Sequence, residues 1–341
     1  MRKFIFKALL VIVFSLAPNL IMGLVRIYYA DRNIPYKINE LNRTLTTNVP
    51  KVPFEPLYIT SITDMSKDTF KNIRVIRDEY GFSNCVPNKK PTILFLGDSF
   101  FNNTHVSTDS GIQSKCNMLL GSNLAYNIGF GGCGGFKVYN ELMNKHFFEV
   151  PKIIICEIVE RNLFKWLQLK NELLQNQTKT IDHYYYGIDL VFGNNFKELN
   201  KSRIFPANRN FGRKYIIEGR PIYFYHDKLT HTSGENLDRM VSNLLFTQEY
   251  FNKKGTKIYF FIAPDKESLY PSIFGKSQME QIQSTFRSKG INIIDIYPEL
   301  SQNPAQYYFD GDTHWNIKGV NVFFDALKKT VFQADSATLK I

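Results

Sequence analysis

Short apolar runs alternate with amphipathic segments over most of this chain, and this alternation limits the folds open to it. The runs predicted as strands are Ile93 to Leu96, Leu124 to Ile128, Ile153 to Val159, Ile258 to Ala263 and Ile291 to Ile296. The predicted helices are Gly111 to Leu120, Phe136 to His146, Asn236 to Lys254, one from Ser277 to Gly290, and a last one capped by Asn316. Strands that alternate with helices predict an α/β fold, in which a parallel sheet carries helices on both faces.

The first predicted strand ends in Gly97-Asp98-Ser99 and so presents a hydroxyl at the carboxyl edge of the sheet. In open α/β sheets this edge is where ligands bind. A serine there is a candidate nucleophile, although it needs a base to take its proton. The alternative is that Ser99 only caps a helix.

The candidate base lies near the other end of the chain. His314 is one of six histidines, and Asp312 and Asp310 precede it by two and four residues. A carboxylate so near in sequence could hold the imidazole in the required tautomer. We therefore predict a catalytic triad of Ser99, Asp312 and His314, with Asp310 as the fallback acid. The adjacent Trp315 favours a well-packed site.

Further segments lie between these two motifs, and together they resemble a known family. They are Asn127-Ile-Gly-Phe-Gly-Gly132, the strand from Pro151 that ends in Glu160-Arg161, and Ile262-Ala-Pro-Asp-Lys266. With the Gly-Asp-Ser and Asp-Thr-His-Trp motifs, they resemble the SGNH hydrolase superfamily. The Asp-Thr-His-Trp form is similar to the branch that contains the alginate O-acetyltransferases of bacterial exopolysaccharide synthesis.

The resemblance implies a flavodoxin-like sheet over residues 91–335 and roles for particular residues. The backbone N–H groups of Ser99 and Gly132 would form the oxyanion hole. Asp98 would orient the nucleophile turn, and Asn127 and Arg161 would support the site. Arg161 falls nearest the position at which many members carry an Asn donor. The resemblance implies no cofactor and no metal.

The N-terminus carries a targeting signal. Arg2, Lys3 and Lys7 precede an uncharged run from Ala8 to Val25, and the apolar stretch as a whole covers residues 4–25. This length suits a membrane span with a cytoplasmic N-terminus. A cleaved signal peptide is the alternative. We expect residues 1–30 to form an anchor or signal, and residues 31–90 to form a linker and lead-in. The expected location is the bacterial inner membrane, with the catalytic domain periplasmic or extracellular.

An insertion at about residues 163–233 interrupts the alternation of strands and helices. It is rich in aromatic and basic residues, as in His183 to Tyr186 and Arg220 to His226. These aromatics either line an acceptor groove or fill a small local core. Of the four cysteines, Cys116 and Cys156 fall on apolar positions, which predicts buried free thiols. Two disulfides in any of three pairings remain the alternative.

Composition excludes some other classes of protein. The chain is 44% hydrophobic and 21% charged, which is typical of a globular protein. The net charge of +11 is spread along the chain, and no zinc-finger, Walker or helix-turn-helix pattern accompanies it. Nucleic acid is therefore not an expected partner.

Three functions remain open from the sequence. The first is a membrane-anchored O-acetyltransferase that acts on a polysaccharide acceptor and forms an acetyl-serine intermediate. By resemblance, a membrane-bound acyltransferase would supply its acetyl group. The second is an extracytoplasmic carbohydrate acetyl esterase with the same triad. The third is a non-catalytic glycan-binding scaffold.

Overall fold

The computed structural model of this chain describes residues 54, 56–62, 65, 70–78, 82–86, 88–102, 105–129, 136–144, 146–174, 212–226 and 228–339. They all belong to one compact unit, formed by Leu41–Gln175 and Phe211–Ile341. The predicted anchor at residues 4–25 and the aromatic run His183 to Tyr186 lie outside the described residues. Within the described part, no helix is long and apolar enough to cross a membrane.

Three sheets are formed by the described residues. Their strands are β1 (Leu57–Ile62), β2 (Phe70–Val75), β3 (Ile93–Leu96), β4 (Ala125–Asn127), β5 (Ile153–Val159), β6 (Arg213–Ile217), β7 (Arg220–Phe224), β8 (Lys257–Ala263) and β9 (Ile293–Ile294). The central sheet has the order β4-β3-β5-β8-β9, and every neighbouring pair in it is parallel. The other two sheets are the antiparallel pairs β1-β2 and β6-β7.

The strand order of the central sheet defines where a ligand would bind. Counted among the sheet strands in chain order, the order in space is 2-1-3-4-5, which is that of flavodoxin-like doubly wound folds. In such sheets the binding crevice lies where the strand order reverses, here beyond the carboxyl ends of β3 and β5. The nucleophile turn predicted from the sequence follows β3 directly.

Helices cover both faces of this sheet. The helices of the described part are α1 (Ile112–Leu120), α2 (Phe136–Asn144), α3 (Leu169–Leu174), α4 (Gly234–Asn252), α5 (Pro271–Phe274), α6 (Met279–Ser288), α7 (Tyr297–Leu300), α8 (Pro304–Tyr307), α9 (Ile317–Leu327) and α10 (Ser336–Leu339). Phe261 of β8 packs against Phe323 of α9, with ring centroids 4.6 Å apart. Its neighbour Phe260 packs against Trp166 of the 3₁₀ helix Glu160–Gln168, with centroids 5.6 Å apart. Because successive strand residues point to opposite faces, these contacts lie on different sides of the sheet.

The core strands are buried on both faces, as their continuous apolar sequences require. Every residue of β3 and β5 is buried, which is the expected pattern for a parallel sheet between two helical layers. Cys116 and Cys156 are buried free thiols, so that prediction is confirmed. Cys133 lies outside the described residues.

One predicted strand is shorter than expected. The run Ile291 to Ile296 forms a strand only at Ile293–Ile294. Asp295 accepts a hydrogen bond from the backbone N–H of Tyr297 at 2.9 Å, and α7 begins at that residue. A local turn therefore ends the strand before its apolar sequence ends.

Part of the stretch expected as linker and lead-in is folded onto this unit. Within residues 31–90, β1 and β2 form a hairpin, and the segment that follows β2 is buried. Arg77 donates to Ser83 at 2.6 Å and to Asn102 at 3.0 Å. Asp78 accepts from Tyr126 at 2.5 Å. These bonds join the lead-in segment to β4 and to the loop that follows β3.

A hairpin also lies within the predicted insertion. β6 and β7 meet at Glu218 and Gly219, which both have positive φ values, as the tightest hairpin turns require. Phe224 is buried and packs against Phe274, with centroids 4.8 Å apart, whereas Tyr225 is 56% exposed. The end of β7 therefore contributes Phe224 to the core and presents the next residue, Tyr225, to solvent.

Gly319 provides a test of how tightly its helix, α9, packs. A Cβ at this position would lie 2.5 Å from the Cβ of Trp315 and 2.8 Å from the carbonyl oxygen of Tyr307. We predict that Gly319→Ala lowers the free energy of unfolding by about 1–3 kcal/mol, although alanine is the better helix former. Urea denaturation would measure this change. The control is Gly234→Ala in α4, where nothing lies within 4 Å of the added carbon and no loss is expected. Equal stability of the two variants would contradict the prediction.

Candidate active site

The turn after β3 is held by hydrogen bonds at its first residue. The backbone N–H of Asp98 donates to the carboxylate of Glu157. The carbonyl of Asp98 accepts from the N–H groups of Phe101 and Asn102, both at 3.2 Å. Ser99 is partly exposed within this turn, between buried neighbours. The nucleophile turn is therefore rigid and open to solvent at the serine.

Gly97 is required by the close approach of β5. A Cβ at Gly97 would lie 2.7 Å from the Cβ of Glu157. Glu157 is itself buried, and burial, together with the nearby charge of Asp98, raises its pKa well above the ordinary value. The Gly-Asp-Ser turn therefore sits directly over a buried glutamic acid at the switch point of the sheet.

Asp98 fixes the turn through its side chain. Its carboxylate accepts from the backbone N–H of Ser99 at 2.7 Å and from the side-chain amide of Asn162 at 2.8 Å. The N–H of Ser99, predicted as an oxyanion donor, is thus engaged by Asp98 in this structure. An oxyanion would have to replace the Asp98 carboxylate as the acceptor of this hydrogen bond. Asn162 was not among the predicted site residues, although it follows Arg161 directly.

Asn127 supports the same turn from β4. Its side-chain amide donates to the carbonyl of Phe101 at 2.6 Å, and its oxygen accepts from the N–H of Gly129 at 2.8 Å. Asn84 pairs with its backbone. Asn127 is fully buried, so its contacts are those of a scaffold residue. Gly132, the other predicted oxyanion donor, lies outside the described residues.

Asp312 and His314 form the pair predicted from their spacing. The Oδ1 atom of Asp312 lies 2.6 Å from Nδ1 of His314 and also accepts from the His314 backbone N–H at 3.1 Å. Burial alone would raise the pKa of Asp312, but His314 and Lys71 outweigh it and lower that pKa well below the ordinary range. Asp310, the fallback acid, instead forms an ion pair with Arg220, whose Nη2 lies 3.0 Å from Oδ1 and 2.9 Å from Oδ2.

The turn after β3 and the Asp312–His314 pair meet in space. The rings of Phe100 and His314 have centroids 4.9 Å apart, and Phe100 also contacts Trp315 edge-on at 4.9 Å. Trp315 is fully buried against Phe261. The structure therefore places the residue after Ser99 in direct contact with the candidate base.

Two residues that the sequence did not single out for the site surround this pair. The Nζ atom of Lys71 lies 2.5 Å from Oδ2 of Asp312. The ring of His105 stacks on that of His314, with centroids 4.8 Å apart and an interplanar angle of 8°. Burial, with the adjacent His314 and Lys71, lowers the pKa of His105 well below its ordinary value. Neither residue carries a motif, and both reach the site only through the tertiary fold.

Arg161 and Glu160 do not form the ion pair that their adjacency suggests. Arg161 pairs with Asp265 and lies over the ring of Tyr225 at 5.4 Å. Glu160 instead accepts from the backbone N–H of Asp265 at 2.9 Å and from the hydroxyl of Ser268 at 2.6 Å. Both side chains therefore bind the segment after β8, Arg161 through the carboxylate of Asp265 and Glu160 through the backbone N–H of Asp265 and the hydroxyl of Ser268.

Lys266 secures the loop that carries the Asp312–His314 pair. Its buried ammonium group donates to the carbonyls of Phe309 at 2.6 Å, Tyr223 at 3.1 Å and Asp310 at 3.2 Å. The lysine of the Pro-Asp-Lys motif thus joins β7 and the catalytic loop to the end of β8. In the described part of the chain, no group of three or more His, Cys, Asp or Glu residues is placed to hold a metal ion.

A flavodoxin-like sheet with a Gly-Asp-Ser turn and a facing Asp–His pair is the arrangement of an SGNH-hydrolase-like protein. Residues 216–339 match the family described as the SGNH hydrolase-like domain of the acetyltransferase AlgX. The matched segment contains Asp312 and His314, while Ser99 lies before it. The match supports an enzyme of the acyl-transfer or acyl-hydrolysis class.

Three solved structures are similar to parts of this chain at low sequence identity. An acylhydrolase-type protein from Bacteroides fragilis is 14% identical, with a TM-score of 0.35, over 74% of this chain and 88% of its own. An α/β hydrolase from the Lake Arreo metagenome is 12% identical, with a TM-score of 0.37, over 73% and 97%. An acetyl xylan esterase from Butyrivibrio proteoclasticus is 12% identical, with a TM-score of 0.34, over 78% and 68%. A search of curated proteins found no match.

The two aspartates of the catalytic loop provide a matched test of the site. We predict that Asp312→Asn lowers kcat for an acetyl ester roughly 10³–10⁴-fold, because the amide no longer holds the required tautomer of His314. Asp310→Asn is the control, since this carboxylate pairs with Arg220 near the surface. We expect it to change kcat little. Comparable losses in both variants would contradict the assignment of Asp312.

Glu160 provides a pH-dependent test of the buried acids beneath the site. Burial and the adjacent Asp265 raise the pKa of Glu160 above the ordinary value of 4.5. The folded state therefore keeps a proton that the unfolded state releases, so stability falls as pH rises above about 4.5. We predict that Glu160→Gln gains at least about 1 kcal/mol relative to the wild type between pH 5 and pH 8.

Urea denaturation at the two pH values would measure this gain. The control is Glu249→Gln, at an exposed carboxylate whose pKa Lys253 lowers. It should show no gain on going to pH 8. The prediction would be refuted if the difference in free energy of unfolding between Glu160→Gln and the wild type were the same at pH 5 and pH 8.

Proposed function

We propose that this protein is a membrane-anchored O-acetyltransferase that acetylates hydroxyl groups of an extracytoplasmic or cell-surface polysaccharide. The observation that carries the proposal is the contact between the Ser99 turn and the Asp312–His314 pair, through the rings of Phe100 and His314. The match of residues 216–339 to an acetyltransferase domain supports transfer of an acetyl group as the reaction.

In the first step His314 acts as the general base. It takes the hydroxyl proton of Ser99 while the serine oxygen attacks the acetyl carbonyl of the donor. Asp312 accepts the Nδ1–H of His314, which leaves Nε2 as the proton acceptor. The imidazolium returns its proton to the departing donor group, and an acetyl-serine remains. We assign oxyanion stabilisation to the N–H groups of Ser99 and Gly132.

In the second step an acceptor hydroxyl replaces the donor. His314 takes the proton of a sugar hydroxyl, whose oxygen attacks the acetyl-serine carbonyl. The bond to Ser99 breaks, the proton returns to the serine oxygen, and the acetylated sugar leaves. Water in place of the sugar would give acetate and make the same site an esterase. The difference between the two activities is therefore the exclusion of water from the acetyl-serine.

The β6–β7 hairpin offers a surface for the acceptor beside the site. Tyr225 is exposed at its end and lies over Arg161, while Asn162, next along the chain, bonds to Asp98. An exposed aromatic face suits the apolar face of a sugar ring. Arg213 and Lys214 of β6 are exposed basic residues of the same hairpin.

The remaining parts of the proposal follow from the N-terminal sequence and the family resemblance. Residues 4–25 would anchor the chain in the bacterial inner membrane, with the N-terminus in the cytoplasm. The catalytic unit would then lie in the periplasm or outside the cell. A membrane-bound acyltransferase would deliver the acetyl group to this side, because the activated acetyl donors of metabolism are made in the cytoplasm.

The proposal is tested with the full-length chain in detergent. The protein is incubated with a chromogenic acetyl ester and a panel of bacterial oligosaccharides. The masses of the sugars are then measured by mass spectrometry. We expect one acetyl mass to be added to at least one sugar by the wild type and lost in Ser99→Ala. Ser122→Ala, at an exposed serine in the turn after α1, is the control and should retain activity.

The other outcomes separate the competing functions. Serine-dependent release of acetate without any modified sugar would favour the esterase. An absence of serine-dependent turnover of either kind would refute the triad, and the glycan-binding scaffold would become the better hypothesis.

A further inference from the structure

Lys71 reaches the candidate active site from a part of the chain that carries no catalytic motif. It lies on β2, and its ammonium group contacts Oδ2 of Asp312 at 2.5 Å. The side chain of Lys71 is 9% exposed and that of Asp312 is fully buried. A charge-assisted hydrogen bond in such a setting is strong and holds both partners in place.

The two oxygens of Asp312 have different partners as a result. Oδ1 faces the ring and the backbone N–H of His314, at 2.6 and 3.1 Å. Oδ2 faces Lys71. A carboxylate bound at only one oxygen can rotate about its χ2 angle, whereas one bound at both cannot. Lys71 thereby fixes the orientation of the oxygen that receives the His314 proton.

Among the described residues, Asp312, Lys71 and His105 are titratable groups packed around His314. Asp312 lies in its own loop, Lys71 comes from β2, and His105 stacks on its ring from the segment before α1. Asp312 favours a protonated His314. The cationic Lys71 opposes it, because two positive charges would share one buried carboxylate. His105 is fully buried, and burial, with the adjacent His314 and Lys71, lowers its pKa well below the ordinary value, so it adds no charge near neutral pH.

We propose that Lys71 is a positioning residue of the active site, which orients Asp312 and holds a positive charge beside the Asp312–His314 pair. This inference rests on the proposed acyl-transfer function of Ser99, Asp312 and His314, and assigns to that site a fourth residue.

The test is the pH dependence of kcat/KM for a chromogenic acetyl ester, measured on the full-length chain in detergent. The acid limb of this profile reports the base of the free enzyme. We expect Lys71→Gln and Lys71→Met to move the acid limb to higher pH by about one unit. Lys71→Arg keeps the charge and should leave the limb in place.

Lys257, the first residue of β8, offers a matched control. Lys257 forms an ion pair with Asp335 at 2.9 Å, away from the site. Lys257→Gln removes a lysine–aspartate pair in the same way and should leave the acid limb where it is. Thermal unfolding of every variant verifies that the folded state is retained.

The outcomes separate this inference from the function on which it rests. A lower plateau without a shift of the acid limb in the neutral variants would assign Lys71 a structural role and overturn the inference. So would neutral variants that do not fold while Lys71→Arg remains folded. Undiminished activity in Ser99→Ala would instead refute the proposed function itself.

Discussion

The buried carboxylate of Asp312 is the interaction on which the candidate site depends. A charge removed from water is costly unless it is paired and hydrogen-bonded. Asp312 meets this requirement with His314 on one oxygen and Lys71 on the other. The same pairing lowers its pKa and keeps it ionised. The aspartate that binds the candidate base is therefore also the group that joins β2 to the loop of His314.

Other buried polar contacts hold the two halves of the site at a fixed distance. Glu157 receives the N–H of Asp98 from below the nucleophile turn, and Asn162 secures the Asp98 carboxylate from the side. Lys266 binds three carbonyls and so ties the loop of His314 to β8. Each contact crosses between segments that are far apart in the sequence. Such a site is pre-organised, since few of its groups are free to reorient during a reaction.

Much of the fold could be predicted from the sequence because local patterns determine it. The strands Ile93–Leu96 and Ile153–Val159 lie where their apolar runs begin and end, and Asn316 caps α9 through Lys318 and Gly319. The Asp312–His314 pair was predictable for the same reason, since two residues of separation suffice to bring the groups together. The strand predicted at Ile291 to Ile296 is shorter than expected because the side chain of Asp295 forms a local turn there, and this turn ends the strand.

The sequence by itself determined the alternation of strands and helices, the Gly-Asp-Ser turn at the end of the first sheet strand, and the aspartate that faces the histidine. The tertiary structure alone decided that Lys71 and His105 surround that pair, that Arg161 turns to Asp265, and that Asn162 holds Asp98. The physical reason is the range of the interactions. Hydrophobic periodicity and turn chemistry act over a few residues, whereas a buried charge takes its partner from whatever segment the packed sheet brings within reach.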